Sequence, residues 1–259
     1  MIIYIPTVRR VGLAEKRTLK WIPDNWKEKT FLVVDEREAS QYSYPRLMVL
    51  AKKFAGIGPT RQCVINNTKD PYVLFLDDDL QFYSRPIKGD HHLRNATLSA
   101  MDVMFEALES WMKNGIVHVG VSAREGNNRV LTPYTENTRV IRALGYNADV
   151  LQSYRKTLNF CQTQCMEDFN ITLGLLRRGH PNRVLYHFAQ GQIRSNAPGG
   201  CSIYRDEAMQ ARSAHKLAEL HPGFVRVLEK KTKTAWKEMG GVRTDVMVYW
   251  KKAYASSQE

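Results

Sequence analysis

The chain has 259 residues, 43% of them hydrophobic, and its 38 lysines and arginines against 26 acidic residues give a formal net charge of +12. The hydrophobic content excludes a disordered chain, and the length suits one large α/β domain or a domain with a small appendage. No apolar run reaches the roughly 18 residues of a transmembrane helix, so we expect no membrane partner. The basic surface favours a polyanionic partner, nucleic acid first.

Strands and helical segments alternate through the first part of the chain. The predicted strands are residues 2–5, 30–34 and 72–76. The predicted helices are residues 12–21, 44–55 and 59–67. The short apolar N-terminus has no basic leader or cleavage site, so it indicates a first strand and not a signal peptide. This order predicts a parallel sheet with helices on its faces.

The second part of the chain is less regular. Residues 93–113 are predicted as a helix whose apolar stripe is core: Met101, Met104, Phe105, Leu108 and Met112. The other predicted elements are strands at 116–121 and 184–188, a helix at 166–178, loops at 127–138 and 191–201, and a basic helical segment from 206 onward. The four sparse cysteines indicate reduced thiols, so we expect a cytoplasmic protein.

The most informative segment is the strand 72–76 and the three carboxylates that follow it, Asp77, Asp78 and Asp79. Three like charges repel, and each must stay solvated or find a cation. Mg²⁺ and Mn²⁺ take hard oxygen ligands, usually together with substrate phosphates, and open α/β sheets bind ligands at the carboxyl ends of their strands. The run therefore predicts a metal–diphosphate site; the alternative is an acidic turn without a ligand.

The first two strands also end in polar residues, Pro6-Thr7 with Arg9 beyond them, and Asp35-Glu36. Carboxylates at such positions can accept hydrogen bonds from a nucleobase or ribose. A solvated turn explains any one of these residues equally well.

A glycine-rich helix start, with Gly58 and Arg61, stands before the Asp run, and Arg61 precedes Asp77 by 16 residues. Glycine lets a backbone approach phosphate closely, the helix N-terminus favours anions, and a guanidinium can clamp phosphate. Many helices begin this way, so this pattern gains its weight from its place before the Asp run.

Three further features are candidates for the acceptor side. Glu167-Asp168 at a helix start can supply a general base or complement the helix dipole. His187 is either a third metal ligand or a structural histidine. The small residues Gly199 and Gly200 would let an acceptor backbone approach closely.

Together these residues resemble the GT-A class of nucleotide-sugar glycosyltransferases, in that family's order, over roughly residues 1–190. The Asp run is similar to the family's DxD motif, and Glu167-Asp168 resembles the acceptor-activating ED motif of inverting members. The nearest resemblance is to the TET/JBP-associated glycosyltransferases, phage and kinetoplastid enzymes that add sugars to hydroxymethylated pyrimidines in DNA. The Gly-Ile-Gly-x-x-Arg helix start and the basic balance both fit.

The resemblance implies an α/β GT-A (Rossmann-like) fold, with a mostly parallel central sheet flanked by helices. Residues 1–205 would form the transferase domain, divided into a nucleotide-sugar half (1–120) and an acceptor half (121–205), and residues 206–259 a basic helical region. The implied reaction is metal-dependent, inverting transfer of a sugar, glucose foremost, from a UDP-sugar to 5-hydroxymethyluracil or 5-hydroxymethylcytosine in DNA, in a host-cell cytoplasm if the source is viral. The alternatives are a polysaccharide, lipid or protein acceptor, a nucleotidyltransferase, or a nucleic-acid-binding protein with a degenerate transferase fold.

The resemblance also implies a role for each candidate residue. Asp79 would bind Mn²⁺ or Mg²⁺ with Asp77, and His187 would complete the metal shell. Asp168, beside Glu167, would take the acceptor proton, and three consecutive aspartates leave open which pair binds metal. The nucleotide-binding set would be Pro6, Thr7, Arg9, Asp35, Glu36, Gly58, Arg61, Asp77 and Asp78. The acceptor-binding pair would be Gly199 and Gly200.

Overall fold

The structure is a computed structural model that describes residues 1–85, 91–127, 130, 132–192, 205–231 and 242–258. Strands β1 to β12 span Ile2–Pro6, Thr30–Asp35, Leu47–Leu50, Tyr72–Leu76, Leu80–Ser84, Arg94–Asn95, His118–Ala123, Tyr134–Glu136, Ala143–Asn147, Asn182–Gln192, Val225–Lys231 and Val242–Val248. Helices α1 to α9 span Leu13–Lys16, Asp24–Lys27, Ile57–Asn67, Leu98–Lys113, Arg124–Asn127, Ala148–Tyr154, Glu167–Leu176, Glu207–Leu220 and Trp250–Ala255. Short 3₁₀ turns lie at Thr18–Trp21, Ala39–Gln41 and Lys52–Phe54.

Ten strands form one central sheet in the order β3-β2-β1-β4-β9-β7-β10-β5-β6, and β8 pairs with β10 outside this path. The first four strands are parallel, with β1 between β2 and β4. Beyond β4, antiparallel pairs join β9 to β4 and β7, β10 is parallel to β7, and β5 is antiparallel to β10. Because β1, β2 and β4 run in the same direction, their carboxyl ends meet at one edge of the sheet, where α/β folds bind ligands.

The sheet is covered on both faces, as the alternation within β4 shows. Leu74 and Leu76 join the apolar cluster that contains the α4 stripe, whereas Val73 and Phe75 join the cluster on the opposite face. Successive strand side chains point to opposite faces, so a strand buried on both reads as a continuous apolar run. The stripe predicted as core, Met101 to Met112, is at most 1% exposed.

A third apolar cluster joins the C-terminal segment to the rest of the chain. Met166, Phe169 and Leu173 of the α7 region pack with Leu217 of α8 and Val246 of β12. The β11–β12 hairpin and helices α8 and α9 therefore cover the helix that begins with Glu167 and Asp168.

The α/β architecture and the elements that build the predicted site are confirmed: β1, β2, β4, α3, α4 and α7 all lie where the sequence places them, to within a few residues. Of the four predicted thiols, Cys63, Cys161 and Cys165 are free, and Cys201 lies outside the described residues. No helix in the described ranges is long and apolar enough to cross a membrane.

Several local predictions are wrong. Residues 44–55 are not a helix, because Leu47–Leu50 pairs with β2 as an edge strand. The predicted helix 12–21 is broken at Arg17, whose backbone leaves the helical region (φ −122°, ψ −93°). The predicted loop 127–138 contains β8, and strand β5 directly after the Asp run was not predicted.

The prediction of a helical region from residue 206 onward holds only for α8 and α9, which flank the β11–β12 hairpin. Val225 and Val227 of β11 and their partners Val248 and Val246 of β12 pack inward, whereas the intervening Arg226 is exposed. This alternation has the period of a strand, and the high lysine and arginine content obscured it.

Candidate active site

A cavity of about 610 Å³ opens at the edge where β1, β2 and β4 end. Its lining brings together residues from the first strand to the C-terminal hairpin. The predicted residues that line it are Pro6, Thr7, Arg9, Asp35, Arg61, Asp77, Asp78, Asp79, Glu167 and Asp168. One cavity thus holds most of the residues that the sequence singled out for a donor site and a general base.

Asp78 and Asp79 share a cation inside the protein. Arg10 Nη1 donates to Asp78 Oδ1 at 2.7 Å and lies 3.4 Å from Asp79 Oδ2. Thr7 Oγ1 also donates to Asp78 Oδ2 at 2.7 Å, which ties the end of β1 to the end of β4. Burial, and next the Asp78 charge, raise the pKa of Asp79 above its ordinary value.

Backbone contacts fix the turn that presents the three aspartates. Thr18 Oγ1 donates to the Asp77 carbonyl at 2.7 Å and accepts from the Leu80 amide at 2.9 Å. The Asp77 amide donates to the carbonyl of Arg142 at 3.0 Å. Arg142 has a φ of 64°, in the left-handed region that few residues other than glycine adopt, and such residues are frequent at functional sites.

Arg61 is buried at the floor of the cavity, where it connects the end of β4, at Asp77, with the start of α7, at Glu167. Its Nη1 donates to Glu167 at 2.6 Å, and its Nη2 donates to Asp77 at 3.2 Å. The guanidinium also lies over the Phe75 ring, 5.8 Å from its centroid. Burial raises the pKa of Asp77 to about 7 and raises that of Glu167, while the Arg61 charge opposes both shifts.

Glu167 and Asp168 both line the cavity, and Asp168 is the one that does not point inward to Arg61. Met166 adopts a left-handed conformation (φ 64°) immediately before α7. Glu167 points inward to Arg61, whereas Asp168 is half-buried and accepts one hydrogen bond, from the Phe169 amide at 3.0 Å. In the part of the chain that the structure describes, Asp168 has no ion pair.

The oxygen donors at this edge fit a divalent cation held jointly with a substrate. Within the described residues, no three histidine, cysteine or acidic side chains converge on a common point. Mg²⁺ commonly takes only one or two protein carboxylates and completes its shell with phosphate and water. This end of the cavity favours positive charge, because three carboxylates are crowded there: Asp77, Asp78 and Asp79. Arg10 already forms ion pairs with two of them, Asp78 and Asp79.

His187 is not brought to the cavity. It is exposed on β10, beside Phe188, which pairs with Ser84 of β5, and it is absent from the cavity lining. Nothing in its position connects it with the three aspartates.

The remaining donor candidates have internal partners. Asp35 accepts from Arg37 Nε at 2.7 Å, and this contact lowers the pKa of Asp35 to about 2. Glu36 accepts from the Lys52 amide at 3.1 Å and does not line the cavity. Arg9 has a φ of 51°, its amide donates to Glu38, and it lines the cavity.

Gly58 is explained by packing. A Cβ at this position would lie 2.4 Å from the carbonyl oxygen of Phe160, so only glycine fits between α3 and that loop. Gly58 does not line the cavity, although its neighbours Gly56 and Ile57 do. Gly199 and Gly200 lie outside the described residues.

Sequence reasoning missed six charged residues of the lining and gave no role to a seventh. The six are Arg37, Arg139, Arg142, Arg205, Arg243 and Asp245. Four of them come from the loop before β9 and from β12: Arg139, Arg142, Arg243 and Asp245. They are far apart in the sequence and follow no local pattern, so only the fold brings them together. Arg10 stood next to Arg9 in the same turn, and the structure shows that Arg10 contacts the aspartates.

Comparisons with known proteins place this geometry in context. The family model described as TET-Associated Glycosyltransferase matches residues 1–200. Two curated relatives, both named beta-glucosyl-HMC-alpha-glucosyl-transferase, come from Enterobacteria phages T6 and T2; each is 21% identical over 240 residues, covering 86% of this chain and 81% of the relative. Among solved structures, glucosyl-3-phosphoglycerate synthase from Mycobacterium tuberculosis, in complex with Mn²⁺, UDP and phosphoglyceric acid, has a TM-score of 0.51 at 12% identity, covering 95% of this chain and 85% of that one.

Proposed function

The chain belongs to the TET-associated glycosyltransferase family, and we propose that it moves glucose from UDP-glucose to the hydroxymethyl group of a 5-hydroxymethylpyrimidine in DNA. The observation that carries the proposal is the meeting, in one cavity, of the strand-end aspartates and of Asp168. A glycosyl transfer needs both: a site that stabilises a departing diphosphate and a base for the attacking hydroxyl.

The donor end is built from the ends of β1, β2 and β4. In the proposal, Thr7, Arg9 and Asp35 contact the nucleoside, and Arg10 and Arg142 face the diphosphate. Mn²⁺ or Mg²⁺ bound by Asp79 and Asp77 would supply the Lewis acidity that neutralises charge on the leaving diphosphate. Arg61 and Glu167 act from beneath, because Arg61 holds Asp77 in place by an ion pair.

The acceptor step uses Asp168. Its carboxylate takes the proton of the hydroxymethyl group while that oxygen bonds to the anomeric carbon of the sugar. The bond between the anomeric carbon and the diphosphate oxygen breaks at the same time, and its electron pair leaves with UDP. One such displacement inverts the anomeric configuration. A modified base inside a duplex would have to leave the stack to reach Asp168.

Two further observations support a DNA acceptor. The net charge of +12 suits a polyanion. The phage relatives are named for transfer to a glucosylated hydroxymethylcytosine (HMC), and the chain covers 81% of their length.

A second candidate acceptor follows from the same printed names. They describe an α-glucosyl group placed on β-glucosyl-HMC, so the receiving hydroxyl belongs to a sugar already on the base. Asp168 can serve as base for either hydroxyl in a single displacement, which gives a β product from an α-linked donor. The α-glucosyl group in the relatives' name would instead require retention from such a donor, so the anomeric configuration of the product distinguishes the two courses.

The test is incubation of the protein with Mn²⁺, a panel of nucleotide sugars and three DNAs, carrying 5-hydroxymethyluracil, 5-hydroxymethylcytosine or β-glucosyl-5-hydroxymethylcytosine. Digestion to nucleosides and mass spectrometry should show the mass gain of one hexose, and NMR of the product gives its anomeric configuration. The Asp79→Ala variant should abolish the gain, and the exposed Asp149→Ala is the matched control.

Each other outcome has a definite meaning. UDP release without any modified base would direct the search to a polysaccharide, lipid or protein acceptor. An α product from an α-linked donor would reject the single displacement and the role of Asp168 as its base. No turnover of any donor would favour a nucleic-acid-binding protein without transferase activity.

A further inference from the structure

Arg139 and Arg243 are two of the arginines in the cavity lining to which the proposed reaction gives no role. Arg139 lies in the loop before β9, and Arg243 lies on β12 of the C-terminal hairpin. Both line the same cavity as Asp168. Arg243 also lies beyond residues 1–200, the part of the chain that the family model matches.

The Arg139 side chain is held by an aromatic ring, and its N–H groups point to no internal acceptor in the described part of the chain. Its guanidinium lies over the Phe169 ring, 4.5 Å from the centroid, and Trp250 meets the same ring edge-on at 5.4 Å. Phe169 follows Asp168 directly, so the stacking sets Arg139 beside the proposed base. No hydrogen bond or ion pair to Arg139 occurs within the described ranges. A guanidinium stacked on a ring keeps its N–H groups for a bidentate partner.

Arg243 also has an unused donor. Its Nη2 lies 3.1 Å from Asp245 Oδ2, but its Nε is buried and, in the described part of the chain, has no hydrogen-bond partner. Asp245 is shared with Lys230, whose Nζ lies at 3.0 Å. Lys230 and Arg243 share the single negative charge of Asp245, so the three side chains together keep one net positive charge for a ligand in the cavity.

The charges that act on Arg139 place it close to both Asp168 and Arg243. Burial lowers the pKa of Arg139, the carboxylates Asp168 and Asp245 oppose this shift, and the cations Arg142 and Arg243 add to it. The charges that act most on Asp79 are Asp78, Arg10 and Arg142, and neither Arg139 nor Arg243 is among them.

We propose that Arg139 and Arg243 together bind one backbone phosphate of the acceptor DNA strand, next to the nucleotide whose hydroxyl meets Asp168. This rests on the proposed function, because it takes the acceptor to be a nucleotide within a strand. A phosphate contact of this kind fixes the register of the strand without reading its sequence. The C-terminal hairpin is then part of the acceptor site.

The experiment removes each partner in turn. Acceptor KM is measured for a short modified oligonucleotide and for two analogues in which one flanking phosphate, 5′ or 3′ of the modified nucleotide, is replaced by a neutral methylphosphonate. The proteins are the unmodified chain, Arg139→Gln, Arg243→Gln and the control Arg226→Gln. Arg226 lies on the same hairpin, is exposed and does not line the cavity, so this control removes the same charge elsewhere.

We expect Arg139→Gln to raise the acceptor KM 10- to 100-fold, and Arg243→Gln to do so by a smaller factor, with the donor KM unchanged. One methylphosphonate should raise the KM of the unmodified protein by a similar factor. Combining that analogue with Arg139→Gln should raise KM little further, because both changes remove the same contact. Arg226→Gln should change KM less than twofold.

Effects that multiply when combined would overturn the phosphate site, as would no effect of Arg139→Gln or an equal effect of Arg226→Gln. These results are distinct from failure of the proposed function, in which the unmodified protein would transfer sugar to none of the oligonucleotides. That failure would overturn both proposals.

Discussion

The two ends of the cavity differ in how their charges are held. At the donor end, Asp77, Asp78 and Asp79 are each fixed by an arginine, Arg61 or Arg10. At the other end, Asp168 has no ion pair among the described residues, and Arg139 is stacked on the Phe169 ring. The charges to which the proposal assigns the diphosphate are therefore held by internal ion pairs, whereas Asp168 and Arg139, to which it assigns the proton and the strand phosphate, keep their charges for a substrate.

The strongest test of this contrast is Asp168→Asn. We expect turnover to fall by roughly 10²- to 10⁴-fold, the usual contribution of a positioned general base, with little change in stability because the carboxylate has no ion pair to lose. The measurement is kcat with UDP-glucose and modified DNA, alongside thermal unfolding. Asp149→Asn in the first turn of α6 changes the same residue type at an exposed helix start and should keep full activity. Undiminished turnover of Asp168→Asn would remove the base from the proposal.

The opposite behaviour is expected of Arg61. Arg61→Met leaves the buried Glu167 and the half-buried Asp77 without their cation, which should lower the free energy of unfolding by about 3 to 5 kcal/mol. Urea unfolding measures the loss. Arg46→Met is the control, since Arg46 also lies over a phenylalanine ring, at 4.9 Å from Phe31, but is exposed. Equal losses in the two variants would mean that the buried ion pairs do not hold the donor end.

The buried His118 allows a test of how α7, the helix that begins with Glu167 and Asp168, is supported. His118 Nδ1 lies 2.9 Å from the Gly145 carbonyl and Nε2 3.1 Å from Thr172 Oγ1 on α7, so the neutral ring donates to Gly145 and accepts from Thr172. Burial lowers the pKa of His118 from 6.5 to about 4. The unfolded chain therefore binds the proton more readily, and stability present above pH 6.5 is lost as pH falls toward 4.

The integrated loss from His118 is up to about 3 kcal/mol. It is read as the change in unfolding free energy between pH 7 and pH 4, which should shrink in His118→Gln. His215 is exposed on α8, and His215→Gln should leave that change as it is. An unaltered pH dependence in His118→Gln would show that the ring is not held neutral beneath α7.

The smallest effect is expected at the hairpin. Lys230 is 51% exposed in its ion pair with Asp245. Pairs of this kind contribute between zero and about 1 kcal/mol, so Lys230→Ala should cost no more than that in urea unfolding. Its exposed neighbour Lys231→Ala gives the baseline. A loss above about 2 kcal/mol would mean that the ion pairs of the C-terminal hairpin contribute nearly as much stability as those of Arg61.

The sequence predicted best where one local pattern determines the structure. The apolar run 72–76 with its Asp run, and the α4 stripe, predicted the buried strand β4, the core helix α4 and the sheet edge at which the cavity opens. The Leu47–Leu50 edge strand was missed because a short apolar run suits a helix or a strand equally, and pairing with β2 decides between them. Arg139 and Arg243 were missed because their meeting beside Asp168 depends on the whole topology.

Arg61 shows a second limit of the sequence. Its position at a helix start suggested contact with a phosphate, and the structure instead buries it between two acidic side chains. The motif singled out a residue that lines the cavity, but the burial and the partners of Arg61 could not be predicted from it.

The ion pairs of Arg61 have a consequence for exchanging parts of this chain with parts of a relative. Asp77 follows β4 and Glu167 begins α7, and both depend on one buried cation from α3. The two ends of the cavity are therefore coupled through one side chain and are not interchangeable modules. A chimera that exchanges one half between relatives must carry over the charge and length of that shared residue, or neither half will keep its geometry.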